Sequence, residues 1–99
     1  EKAAKIRSHI RSVIDDNTVA IVPSAASLAP LRTADPAQVD AVRLRTMAMT
    51  CVAGISGLPQ VNMPFVTGEG PAGISLIGPV GSDAALIKLA IALKKAAAI

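Results

Sequence analysis

The eight residues TMAMTCVA, from Thr46 to Ala53, carry no charge on any side. A helix that is apolar all round has no stripe left for water, so other polypeptide must enclose it. The pair Asp35-Pro36 marks where this helix starts. Asp is a favourable N-cap, and proline at the first helical position lacks an N–H that would be unpaired there anyway. Gln38, Asp40, Arg43 and Arg45 give the first half a wet side. The pattern predicts a helix from Pro36 to about Ala53, with Gly54 as its C-cap and a second half that demands cover.

The strands make the same demand. Thr18 to Val22 (TVAIV) is short, apolar and rich in β-branched residues, and Gly73 to Gly78 (GISLIG) is a second apolar run; neither has a wet face, as in strands buried on both faces. Between them, Val61, Met63 and Phe65 alternate with Gln60, Asn62 and Pro64, the period of a strand with two unlike faces. Proline is usually confined to strand starts, edges and bulges, so Pro59 is expected to start this strand and Pro64 to end its regular pairing. Residues 67 to 73 (TGEGPAG) read as a glycine-rich turn joining an antiparallel hairpin.

Helices flank these strands. Ile6, Ile10, Val13 and Ile14 share one side of a first helix over residues 1 to 14, which Asp15, Asp16 and Asn17 terminate by competing for backbone hydrogen bonds. Residues 23 to 35 read as a loop. Ser82 caps a last helix, with Leu86, Leu89, Ala90 and Leu93 on its buried stripe and Lys94 and Lys95 at its negative end. The order is α-β-α-β-β-α, an α/β chain. Its first strand, middle helix and second strand are expected to form a right-handed parallel crossover.

At 99 residues, 52% of them hydrophobic, the chain has a single Phe and no Trp or Tyr. Small free-standing domains rely on aromatic side chains for large buried areas. This composition suits elements packed inside a larger body. With Glu1 rather than Met at its start, it leads to the expectation of a fragment or cleaved subunit. The net charge of +3 is scattered and accompanied by no stacking aromatics, which argues against nucleic-acid binding. No apolar run is long enough for a bilayer, and no signal peptide opens the chain, so no membrane partner and a cytoplasmic location are expected.

Taken singly, the reactive residue types point to nothing beyond packing. His9 lies among basic residues on a polar helix face and has no Cys or carboxylate at ligand spacing, so neither a metal nor another cofactor is expected. Cys51, the single cysteine, has no neighbouring cation and reads as a buried structural thiol. Gly54-Ile55-Ser56-Gly57 lacks the final glycine of a nucleophile elbow and follows a helix, so it reads as a cap and loop. Gly78 to Asp83 precedes a helix N-terminus, but Asp83 would repel an anion there.

The arrangement says more than its parts. The runs DDNTVAIVPSAASLAP, AGISGLPQVNMPF and GISLIGPVGSDAALIKLA resemble, in order and spacing, the C-terminal portion of amidase signature family enzymes, most closely the indoleacetamide-hydrolase-like branch. The matching positions are Pro23, Gly57, Pro59, Pro64, Gly73, Leu76, Ile77, Gly78, Pro79 and Asp83, and the resemblance runs from about Ile10 onward. Ser24 stands where the family often has Thr.

The resemblance implies an α/β/α fold around a mixed central sheet, and a parent enzyme hydrolysing carboxylic amides with a Ser-Ser-Lys triad. That triad sits in a Gly/Ser-rich N-terminal body that has no counterpart in this sequence, so no residue here is assigned a catalytic role. Residues 1 to 99 would then be the C-terminal segment of an amidase domain, inactive alone, and partnered by the N-terminal body or a companion chain. By the same likeness Met47, Cys51, Gly54 and Ile55 border the channel for a small-molecule amide; the plain alternative for each is core packing. The alternative is a non-catalytic module that forms a homo-oligomer through its apolar strands.

Overall fold

The computed structural model describes residues 2–25 and 31–96; the middle of the loop expected over residues 23 to 35 lies outside them. Six elements follow in the order α1 (Lys2–Val13), β1 (Ala20–Pro23), α2 (Pro36–Ser56), β2 (Gln60–Thr67), β3 (Gly70–Ile77) and α3 (Asp83–Ala96). The strands form one sheet in the order β1-β3-β2, and both neighbouring pairs are antiparallel. β1 and β2 thus run parallel to each other, as a crossover requires, but β3 lies between them. The mixed pairing that the resemblance implies is not seen within these three strands.

The central place of β3 follows from its side chains. Leu76 and Ile77 point to opposite faces, and both are buried, at 0% and 1% exposed. An edge strand would leave one of them in water. β2 has a genuinely polar side in Gln60 and Asn62 and tolerates the edge.

The ladder also explains the prolines. The Gly78 N–H donates to the Pro59 carbonyl at 3.2 Å, and the Ser24 N–H donates to the Gly73 carbonyl at 3.0 Å. Hydrogen-bonded and non-hydrogen-bonded pairs alternate along an antiparallel ladder. Counting from the first bond, Val61, Met63 and Phe65 bond to β3, whereas Gln60, Asn62, Pro64 and Val66 turn their backbone groups to the outer rim. Pro64 therefore sits where no N–H is wanted by β3, and it does not end the pairing as expected. The ladder continues to Thr67 opposite Gly70, so the turn shrinks to Gly68 and Glu69. Counting from the second bond, Pro23 opposite Ile74 occupies the equivalent outward position on β1.

Each face of the sheet has its own small core. On one face Met63 and Leu76 pack with Leu86 and Ala90 of α3, flanked by Val61 and Phe65. On the other, Ile77 packs with Ile14, Ala53 and Leu58, flanked by Ile10, Ala20, Val22 and Val52. Helices thus contribute to both faces. β1 is not buried on both sides as the sequence suggested: Ile21 points to the α3 face beyond the reach of α3 and is 66% exposed. The stripe of α3 is likewise narrower than expected, since Leu89 and Leu93 remain 37% and 38% exposed.

α2 begins as predicted. Asp35 is its N-cap, its carboxylate accepting from the Ala37 N–H, and Pro36 opens the helix. The helix ends later than predicted. Gly54 lies inside it, and the cap is Gly57, whose φ of 69° is left-handed and whose N–H donates to the Ala53 carbonyl. The sequence pointed to Gly54, but it is at Gly57 that the backbone takes the left-handed conformation that side chains disfavour. Arg11 of α1 then donates from Nε to the Ser56 carbonyl at 2.7 Å, placing positive charge on the negative end of α2.

The whole is a slab of 43 × 41 × 15 Å with a radius of gyration of 15.2 Å. A compact chain of this length has a radius of gyration of about 13 Å. The excess is the signature of elements laid side by side with little wrapped around them.

Candidate functional site

α2 carries all four residues that the sequence assigned to a substrate channel. Met47, Cys51, Gly54 and Ile55 recur at the three- and four-residue spacings that put side chains on one helix face. The opposite face carries Ala53 and Ser56, the two buried residues of the helix. Ser56 is anchored there, donating from its hydroxyl to the Val52 carbonyl at 2.7 Å.

The channel-assigned stripe is open. Met47 is 54% exposed and Ile55 38%, and Leu44 on the same face is 68% exposed. Cys51 is exposed too, against the expectation of a buried thiol, and its thiol lies 3.4 Å from the Ala48 carbonyl in its own helix. Met47 lines a shallow hollow of about 390 Å³ with Asp40, Arg43 and Leu44. The other three assigned residues stand along the same ridge. This surface can offer apolar contact and one thiol.

A second cluster draws on all three strands, and sequence reasoning missed it. Ser24, just after β1, donates from its hydroxyl to the Asn62 side-chain Oδ1, and its Oγ lies 2.8 Å from the Ser75 Oγ. The single Ser24 proton is committed to Asn62, so Ser75 is the donor in the hydroxyl pair. Ser75 is 1% exposed. Gly73 makes room for the group, because a Cβ there would stand 2.7 Å from both the Asn62 side-chain oxygen and the Ser24 Oγ. The only sequence clue was the alternation that put Asn62 and Ser75 on one side of the hairpin. With a carboxamide and two hydroxyls but no base, the cluster can fix strand register and orient an amide; it cannot activate a nucleophile.

The remaining candidates are placed simply. His9 is exposed on α1, and no group of acidic, His or Cys side chains among the described residues is arranged to hold a metal ion. Ser82 precedes α3, where its carbonyl accepts from the Leu86 N–H and its hydroxyl donates back to the Pro79 carbonyl at 2.6 Å. No helix among the described residues is long and apolar enough to cross a membrane. Asp15 ends α1 with its carboxylate accepting from the Asn17 N–H and the Thr18 hydroxyl; these two bonds hold its pKa below the ordinary 3.8.

Comparison with known proteins adds one relationship. Over 81 residues, 81% of this chain, the sequence is 28% identical to Amidase 1 of Arabidopsis thaliana. The likeness is to an amidase. It spans 19% of the length of Amidase 1, so this chain is similar to a limited part of that protein. No family model matches the sequence, and no solved structure matches it significantly.

Proposed function

We propose that this chain is the C-terminal segment of a carboxylic amide hydrolase of the amidase signature type, of the indoleacetamide-hydrolase-like branch. The observation that carries the reading is the likeness to Amidase 1 across 81% of the chain. In this reading the Ser-Ser-Lys triad belongs to an N-terminal body. The present segment supplies three strands, the final helix and one wall of the substrate channel. Met47, Cys51, Gly54 and Ile55 form that wall, offering an apolar surface to the non-reacting part of a small amide.

The open ridge of α2 supports this reading. A stripe of large apolar side chains left in water is a surface made for contact. The Ser75–Ser24–Asn62 chain holds the sheet in register where the three strands meet.

The test is an amide hydrolysis assay with and without a polypeptide carrying the Gly/Ser-rich serine segment. The 99-residue chain alone is expected to release no ammonia from primary amides, and the combination is expected to do so. In the active combination, Met47→Trp should narrow the channel and raise KM more than it lowers kcat. Turnover by the pure chain, or no turnover by any combination, would refute the reading.

A further inference from the structure

We infer that the outer rim of β2 and the adjoining side of α3 form a self-complementary surface that pairs with a second copy of this chain about a two-fold axis. Gln60, Asn62, Pro64 and Val66 turn their backbone groups away from β3, and all but Pro64 keep a donor. Such a row is a ready template for another strand. Above it, Asp83, Ile87, Ile91 and Lys94 follow at four-, four- and three-residue spacings and so share one side of α3. Ile87 and Ile91 are 51% and 52% exposed. With Val61 and Met63 they line a groove of about 230 Å³ along the rim, and Lys94 lies at its end.

The charge pattern selects the partner. The stripe is acidic where α3 begins and basic where it ends, with two isoleucines between. A two-fold axis through the sheet near Asn62 makes β2 antiparallel to its copy, and α3 antiparallel to its copy as well. Asp83 then faces Lys94 of the second copy, Lys94 faces the other Asp83, and the isoleucines meet in the middle. In the ladder, Asn62 donates to and accepts from Asn62 of the second copy, while each Gln60 N–H meets the Pro64 carbonyl of the other copy. Pro64 stops the pairing from extending further, so the contact closes as a dimer instead of recruiting more strands. The surface leaves the α2 ridge free and is separate from the proposed channel wall.

Sedimentation velocity on the 99-residue chain over a range of concentrations tests this, with Asp83→Lys, Lys94→Asp, the combined exchange and Gln60→Pro as variants. A monomer–dimer equilibrium is expected. Each single charge reversal should weaken it about tenfold, and the combined exchange should restore it. Gln60→Pro, at an outward position that β3 does not use, should abolish the dimer while circular dichroism stays unchanged. Should Asp83→Lys disturb α3, Lys94→Asp still decides the charge pairing. A monomer at every concentration, larger assemblies, or single reversals indistinguishable from the original would overturn the proposal. So would protection of the rim only by a different polypeptide.

Discussion

β3 and α2 are both rich in apolar residues, yet they end in opposite states. β3 is flanked by strands on both sides and by helices at both faces, and Ser75, Leu76 and Ile77 are each at most 1% exposed. α2 is 21 residues long and buries Ala53 and Ser56 alone. The difference lies in neighbours, since a helix touching the rest of the chain near its C-terminal end can shelter only that end. Stability should therefore be concentrated in the inner faces of the hairpin and α3, while most of the length of α2 is left as contact surface.

The sharpest way to break this contrast is Leu76→Ala. It removes the side chain shared by both strand neighbours and α3, and is expected to lower stability by about 2–5 kcal/mol, measured by urea unfolding. Gly57→Ala comes next. The left-handed φ of 69° disfavours a side chain, and Arg7 and Arg11 nitrogens lie 2.9 and 3.0 Å from the Cβ position. A loss of about 1 kcal/mol is expected, with fraying at the end of α2 visible by hydrogen exchange. Leu44→Ala and Met47→Ala sharpen the comparison from the other side. Although apolar, each should change the stability of the isolated chain by no more than about 0.5 kcal/mol.

The smallest effect concerns pH. The carboxylate of Asp15 titrates below its unfolded value because Asn17 and Thr18 donate to the ionised form. Its contribution is present above the unfolded value of 3.8 and is lost as pH falls through the lower folded value. Asp15→Asn should flatten the acid limb of the stability profile slightly and leave neutral pH nearly unchanged. An unaltered acid limb would remove Asp15 from the account.

Much of this fold was legible because local chemistry decided it. Asp35-Pro36 opens α2, the Asx turn at Asp15 closes α1, and Met63 and Leu86 lie in the core by simple periodicity. What was not legible depended on partners distant in sequence. Nothing in TVAIV says that it will pair with β3 instead of β2. Pro64 looked like a strand end because its harmlessness depends on which rim it faces, and that is settled only by the register. Gly54 looked like the cap because nothing local says that the helix runs on to Ser56, whose carbonyl Arg11 of α1 then meets. Met47, Cys51, Gly54 and Ile55 share one helix face by spacing alone, but the Ser24–Asn62–Ser75 cluster required three strands to meet, which no local pattern encodes.

The central claim is that the proposed N-terminal body encloses the outer ridge of α2 as one wall of a channel, and Cys51, the one cysteine, reports on it directly. The rate of its reaction with a thiol reagent should be measured under native conditions, for the chain alone and combined with the N-terminal body proposed above. The account predicts a native rate close to that of the unfolded chain, falling at least about tenfold on assembly. A thiol already protected in the isolated chain, or one equally reactive in the assembled enzyme, would contradict it.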